Sequence, residues 1–459
     1  MKKRLLVIFL AALAVRALAV SRRPFNAGVG SDFGGIGPVN LEVAYGLLRT
    51  GGFVELESVG GKPFTGYVIR HTPLEEMAGL PIKTTTSTSR MPLYPLIAAA
   101  IMRVRSDLDP RTLQWAQIVA DAVSAVLIAS LAFSLMGPFA GWFAGLFYAL
   151  WPPYIHFSSI IHDGAFSMFL NAVILCAAMP LLRERLSDSR CALIGGLVGV
   201  ATLFRSDAVW LLAYFFVAFS CLYRESNARR ARQFCLLLGG AILAISPWTT
   251  RNYFFYKRLV PTTTLYPGAL WEGLGDFPKF FKEYSHLNND ANICSFAASE
   301  GFRGPCVGWN DKATQIQLLD FLRGQFRQKI LFEHPAKYGA FLAVKWARYF
   351  FAHRFLMVSG NCLGLPVGGS RDIAPALIVD LALVPFLLLL MPFLFSKSRL
   401  FWLLYLFHAV SACVHVLSAS NETRYFVAST IAFPLLFAML ALKGLTAFRG
   451  EERREGKND

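Results

Sequence analysis

Asp32 stands in a turn-rich GSDFGG stretch, and Arg90 opens the segment RMPLYP, which also supplies Tyr94. A carboxylate can take a proton from an attacking hydroxyl or amine. An arginine offers a planar fork of donors to a phosphate. Both lie between apolar runs, where the chain leaves and re-enters a membrane, and that layout suits work on a lipid-borne anionic substrate. The remaining candidates recur at comparable places: Asp163 in SIIHDGAF, Arg205 with Asp207 in FRSDA, Arg251 in PWTTRNY, and Arg424-Tyr425 in NETRYF. Each has a plain structural alternative. Asp32 suits a turn, and Asp163 suits the cap of a helix beginning at Gly164. Arg205 and Asp207 can pair with each other, Glu422 and Arg424 can do the same, and Arg90 and Arg251 can anchor span ends at the interface.

The elements that must hold these residues are membrane helices. Of 459 residues, 55% are hydrophobic and 16% charged, and mean hydropathy is +0.46. Soluble domains carry about 25% charged residues. The net charge of +16 does not imply nucleic acid. Lys2-Lys3-Arg4, Arg183–Arg190, Arg224–Arg232, Lys397–Arg399 and the tail from Arg449 fall between apolar runs, as the positive-inside pattern requires.

Leu5–Val20 reads as an uncleaved, tilted first span with Arg16 snorkelling to the interface. A polar outer loop, 21–110, follows, with a helical run at 39–49, a Gly-Gly turn, and an interfacial or re-entrant element at 91–104 that is too short to cross. Spans follow at 113–136, 139–151, 164–182, 191–204, 209–223 and 234–248. The polar stretch from Thr249 to Pro335 is long for a connection and reads as a small extramembrane domain. Tyr338–Phe355 reads as an amphipathic interfacial helix. The last spans are 373–395, 400–417 and 426–442. The expectation is an all-α polytopic membrane protein with about ten transmembrane helices. It divides into an N-terminal module, 1–248, an outer region, 249–372, and a C-terminal region, 373–459. Both termini are expected inside and the candidate residues outside. No internal repeat is visible, which argues against many transporter architectures.

The ordered set of an acid in the first outer loop (Asp32), R-x-P-L-Y-P (Arg90–Pro95), P-W-x-x-R-N-Y (Pro247–Tyr253) and an Arg-Tyr pair opening a late span (Arg424-Tyr425) resembles the GT-C glycosyltransferases. The resemblance is to the bacterial branch akin to protein O-mannosyltransferases and aminoarabinose transferases. Gly195–Arg205, Leu270–Gly273 and His334–Tyr338 echo it. The first-loop acid departs from the pattern, being followed by Phe33-Gly34, with Tyr45 well downstream.

The resemblance implies a sugar donor on a polyprenyl monophosphate, an extracytoplasmic active site at the inner membrane, and inversion at the anomeric carbon. The acceptor would be an extracytoplasmic lipid, glycan or protein. Asp32 is the expected general base, with Asp163 as a second catalytic carboxylate. Arg90, Tyr94, Arg205, Arg251, Arg424 and Tyr425 are the expected donor-phosphate and substrate contacts. No cofactor is expected, and no zinc spacing or phosphate-cradling loop is visible. Arginines can stabilise a departing monophosphate, so turnover should be independent of metal. A transporter or flippase of a lipid-linked solute, and a surface-polysaccharide polymerase or ligase, are the alternative readings. Of eight cysteines, Cys294 and Cys306 fall in the outer region and could bridge, with Cys362 as a competing partner.

Overall fold

The computed structural model describes residues 1–22, 36–64, 68, 72–86, 90–182, 186–222, 225–263, 266–275, 280–287, 290–304, 312–351, 384–418 and 430–455. Asp32, Glu422, Arg424, Tyr425, Cys306 and Cys362 lie outside these residues.

Helix α1 (Lys2–Arg22) precedes a long polar loop. That loop is built from α2 (Ile36–Thr50), β1 (Val54–Val59), α3 (Leu74–Ala78), β2 (Ile82–Thr86) and α4 (Leu93–Arg105). Six helices follow in the bundle: α5 (Arg111–Met136), α6 (Pro138–Leu150), α7 (Pro152–Ser159), α8 (Gly164–Ala178), α9 (Asp188–Phe204) and α10 (Trp210–Cys221). The long α11 (Asn227–Tyr256) leads to α12 (Tyr266–Gly275), α13 (Asp290–Ser299), α14 (Lys312–Phe326) and α15 (Pro335–Phe351). The chain returns through α16 (Val384–Leu394), α17 (Arg399–Ser418) and α18 (Phe433–Glu455).

Among the described residues six helices are long and apolar enough to cross a membrane, and three shorter apolar helices accompany them. The protein is therefore an all-α polytopic membrane protein. The single sheet among the described residues is the antiparallel pair of β1 and β2, with α3 in the connection between them and a register shift between Leu56 and Ser58. This sheet is an addition to the helical reading of this loop. At the Gly-Gly turn before β1, Gly51 takes φ +72° and ends α2 in the left-handed conformation that glycine tolerates best.

The bundle is held by small residues at helix crossings. A methyl group placed on Gly195 of α9 would meet the Leu237 carbonyl oxygen of α11 at 1.9 Å, and one on Gly240 would meet Ala192 O at 2.2 Å. In lipid there is no hydrophobic drive to bring helices together, so such backbone contact supplies the packing. The GGLVGVATLFR stretch is thus a packing seam that ends in Arg205.

Arg16 departs from the snorkelling expectation. It is fully buried and donates from Nε to Asp121 of α5, the two forming an ion pair. Its Nη1 donates to the carbonyls of Ala12 at 3.1 Å and Ala149 at 3.0 Å. Tyr148 completes the site by donating to Asp121 Oδ1 at 2.5 Å. The reason is the partner: a charge in the low-dielectric interior is tolerated once an opposite charge and hydrogen bonds surround it. Helix α1 is thereby built into the bundle.

Beyond the bundle a second apolar core gathers around Trp271, which is fully buried with Phe281, Leu322, Ile330 and Phe341. Its indole donates to Leu322 O at 3.1 Å, and its ring packs on Phe296 and Phe326 with centroids 4.7 and 5.4 Å away. Burying such side chains from water contributes about 1.5–3 kcal/mol each. The LWEG stretch and Tyr338, which stacks on Phe341 at 5.7 Å, are parts of this core. Lys345 of α15 is buried, 5.5 Å from the Phe341 ring centroid. Cys294 is buried here too.

Candidate active site

Helix directions gather the candidate residues at one end of the bundle. Helices α5 and α8 begin at this end, while α9, α11 and α17 finish there. Arg190 and Arg399 stand at the opposite end, where Arg399 Nη2 donates to Leu222 O at 2.5 Å.

Arg205 is the hub. It ends α9, with its backbone turned to an extended conformation at φ −144°, ψ 119°. Its side chain is nearly buried and forks three ways. Nε donates to Asp207 Oδ1 at 3.1 Å, Nη2 to Asp207 Oδ2 at 3.0 Å, and Nη1 to Asp163 Oδ1 at 2.8 Å. The pairing of Arg205 with Asp207 expected from their spacing is therefore real, and it is one part of a larger set. A bidentate arginine–carboxylate fork fixes orientation as well as charge.

Asp163 sits where a helix cap would be, yet its side chain makes no capping bond to α8. It turns to Arg205 instead, so the capping alternative fails. His162 lies beside it, with Nδ1 3.1 Å from Asp163 Oδ1. The Gly164 amide also points to that nitrogen, at 2.9 Å.

Tyr94 lies at the start of α4, buried, and donates to Gln117 Oε1 at 2.5 Å. Gln117 in turn donates to Ile160 O at 2.6 Å, tying α4 to the turn that presents Asp163. Phe166 bridges the two sides, 6.1 Å from the Tyr94 ring and 5.5 Å from Phe204. Burial holds the Tyr94 phenol well above its ordinary range, and the nearby Asp163 charge pushes it the same way. Tyr94, Asp163 and Arg205 thus form one unit.

Arg90 sits four residues before Tyr94, half-buried, and its Nε is buried without a hydrogen-bond partner among the described residues. It faces Glu42 of α2. Burial raises that carboxyl to about 7, and Glu55 adds to the effect while Arg90 opposes it. Neither Glu42 nor Gln117 stood out in the sequence.

Arg251 occupies a separate setting. Its guanidinium lies 4.9 Å from the Trp248 ring centroid, 4.8 Å from Phe255 and 5.7 Å from Phe53, just before β1. It donates to Asn252 Oδ1 at 3.1 Å, and no carboxylate pairs with it among the described residues. The chain after α11 folds back on this helix end. Trp248 Nε1 donates to Thr262 O at 2.8 Å, and Asn252 Nδ2 donates to Val260 O and Thr262 O at 3.0 Å each. Arg251 is a caged cation, held rigidly at the same end of the bundle.

His415 of α17 was also absent from the sequence reading. It is buried and contacts Asp207 Oδ2 through Nε2 at 3.1 Å. The signal for it was a buried polar stripe, His408, Ser411 and His415, spaced by three and four along an apolar helix. The stripe Gln114, Gln117, Asp121 and Ser124 in α5, every member buried, has the same form. Among the described residues no group of three or more His, Cys, Asp or Glu is placed to hold a metal ion.

The sequence matches no family model and no curated protein. Solved structures match it by fold. The archaeal oligosaccharyltransferase AglB from Archaeoglobus fulgidus, in complex with an inhibitory peptide and a dolichol-phosphate, aligns with 98% of this chain at 12% identity and a TM-score of 0.51. The apo form of the oligosaccharyltransferase from the same organism aligns with 98% at 13% identity and a TM-score of 0.50. The chain spans about half the length of these proteins, 51% and 52%. ArnT from Cupriavidus metallidurans bound to undecaprenyl phosphate is a looser likeness, with 94% of this chain and 77% of that one covered at 14% identity and a TM-score of 0.39. From its apolar helices and its likeness to these structures, the chain is an integral membrane protein that shares the fold of the archaeal oligosaccharyltransferases.

Proposed function

We propose that the chain is a glycosyltransferase that moves a sugar from a polyprenyl-phosphate donor to an extracytoplasmic acceptor, at the bundle end that carries Asp163 and Arg205. The observation that carries this reading is Asp163. It is a carboxylate at the mouth of the bundle, held by an arginine fork rather than spent on a helix cap, beside a buried tyrosine from the outer loop. The fold supports the lipid donor, since AglB was solved with a dolichol-phosphate.

In this mechanism the acceptor hydroxyl or amine attacks the anomeric carbon and gives its proton to Asp32, the first-loop carboxylate. The new bond forms as the bond from that carbon to the phosphate oxygen breaks, so a single displacement inverts the centre. Polyprenyl phosphate leaves with the electron pair. Its growing charge meets Arg90, whose Nε has no partner among the described residues, and Arg251, with which no carboxylate pairs among the described residues. Arg424 and Tyr425 are assigned to the donor by the sequence pattern. Arg251, with no carboxylate paired to it among the described residues, is the kind of cation that an incoming anion can use.

Purified protein given a polyprenyl-phosphate sugar should release free polyprenyl phosphate, with or without EDTA. Asp32→Asn should lower turnover by roughly 10²–10⁴-fold with donor binding retained, because only the proton acceptor is lost. Arg90→Ala or Arg251→Ala should weaken binding and turnover together. Donor carried across the membrane intact, with no free polyprenyl phosphate, would sink the transferase reading and favour a flippase.

A further inference from the structure

The end of the bundle opposite the candidate active site holds an open cleft of about 490 Å³, formed by α5, the last turn of α8 and the start of α9. Its size falls within the roughly 300–1,000 Å³ of small-molecule sites. Leu127, Leu131 and Leu135 wall it, spaced by four along one face of α5, and Met179, just beyond α8, adds to them. Its polar groups are the hydroxyls of Ser130 and Ser134, the Cys176 thiol and the Arg190 guanidinium.

Two of these groups are left open. Ser124 and Ser134, the neighbouring serines of α5, donate back to their own helix, to Ala120 O and Leu131 O at 3.1 Å each. Ser130 lies between them, half-buried, and its hydroxyl makes no hydrogen bond among the described residues. The apolar depth of a membrane offers such a group no water. Arg190 likewise makes no side-chain hydrogen bond or ion pair among the described residues. Asp188, two positions earlier, is held by Arg232 at 2.5 Å.

Depth orders the lining. Helix α5 ends at Met136, so at 1.5 Å per residue Ser130 lies about 9 Å inside that end. The polar layer on each side of a bilayer is about 5–8 Å thick. Arg190 therefore stands with the head groups, Ser130 where glycerol esters meet the chains, and Leu127 among the chains.

We infer that the cleft is a site for a phospholipid with an anionic head group, whose phosphate takes the Arg190 guanidinium and whose ester carbonyl accepts from Ser130. A free phosphate would gain nothing from the leucine wall, and a bare acyl chain would leave Arg190 and Ser130 unanswered. Arg229 and Arg232, at the start of α11, share this end of the bundle, and basic surroundings favour anionic lipids over zwitterionic ones. The lipid would tie α5 to α9 at the face away from the donor, so the inference stands whether or not the chain transfers a sugar.

The test titrates phosphatidylglycerol or phosphatidylethanolamine of equal chain length onto the full-length, delipidated protein and counts bound lipid by native mass spectrometry. The wild type should bind its first phosphatidylglycerol at least about five-fold more tightly than phosphatidylethanolamine, the scale of one basic contact at a membrane surface. Arg190→Ala should lose that preference and Arg190→Lys should keep it. Lys397→Ala removes an exposed cation at the same end and should keep it too. Ser130→Leu puts apolar bulk into the cleft while sparing the charge, and should weaken phosphatidylglycerol binding by about five-fold. Melting of each variant without added lipid separates a lost site from a lost fold, and if Arg190→Ala melts early, Ser130→Leu decides. Equal binding of both lipids by the wild type, the same loss in Lys397→Ala as in Arg190→Ala, or undiminished affinity in Ser130→Leu would overturn the site.

Discussion

The buried pair of Arg16 and Asp121 makes the sharpest energetic prediction. Arg16→Met keeps the length and packing of the side chain but removes the charge and every donor. Asp121 would then retain only neutral donors such as Tyr148, at 2.5 Å, with no cation in a fully buried setting. The carbonyls of Ala12 and Ala149, which accept from Arg16 at 3.1 and 3.0 Å, would lose that donor as well. Removing one partner of a buried pair costs about 3–5 kcal/mol, because the remaining charge is uncompensated. Replacing both partners should cost far less, about 1–2 kcal/mol or nothing, so Arg16→Met with Asp121→Asn should recover most of the loss. Melting in nanodiscs, followed by fluorescence, would give the cycle. An Arg16→Met protein that melts with the wild type, or a double variant no better than the single, would refute the view that this pair is a mutually dependent lock.

Three further outcomes are expected. Glu42 is protonated more readily in the folded chain, at about 7 against an ordinary 4.5. Its contribution is thus favourable at low pH and is lost as pH rises from about 4.5 to 7, a cost of about 2–3 kcal/mol by pH 8. The melting advantage of Glu42→Gln over the wild type should grow across that window, and parallel curves would exclude it. Gly195→Ala should destabilise by about 1–3 kcal/mol through backbone overpacking against Leu237, whereas Gly196→Ala, with open space around the added carbon, should be neutral or mildly stabilising. A single cysteine at the exposed positions Lys62 or His286, in an otherwise cysteine-free chain, should react with an impermeant reagent in intact cells. Protection of either would reverse the proposed orientation.

The fold was largely legible because hydropathy, basic clusters and short connections leave few ways to thread apolar runs through a membrane. The site was legible only in part. Asp163, Arg205 and Tyr94 were visible because ionisable and aromatic residues at span ends stand out against apolar neighbours. Their partnership was not, since it depends on how α4, α8 and α9 meet. Asp121 and His415 were missed for a different reason. Each lies inside an apolar run whose average hides a single polar side chain, and only the three-and-four spacing of Gln114, Gln117 and Asp121, or of Ser411 and His415, betrays the buried stripe. Arg16 was visible but misread, because snorkelling is the default for an arginine whose partner is more than a hundred residues away. Asp32, Arg424, Tyr425 and the bridge between Cys294 and Cys306 fall wholly or partly outside the described residues.

One hydrogen bond ties the beginning of the bundle to its end. Tyr154 of α7 is fully buried, and its hydroxyl donates to the carbonyl of Thr430 at 2.7 Å, across 276 positions of sequence. Helix α18, which follows Thr430, packs against α6, and the Tyr154 ring stacks on Tyr148, the residue that serves Asp121. The earliest helices therefore leave the ribosome with an open seam that only the last helix can close. Chains elongate at roughly 5–20 residues per second, so this seam stays open for about 15–60 seconds during synthesis. Over that interval the half-built bundle presents a tyrosine hydroxyl and a packing face to lipid or to whatever insertion machinery shelters it. Truncation just before Thr430 should leave a protein that inserts its early helices yet is cleared by membrane quality control.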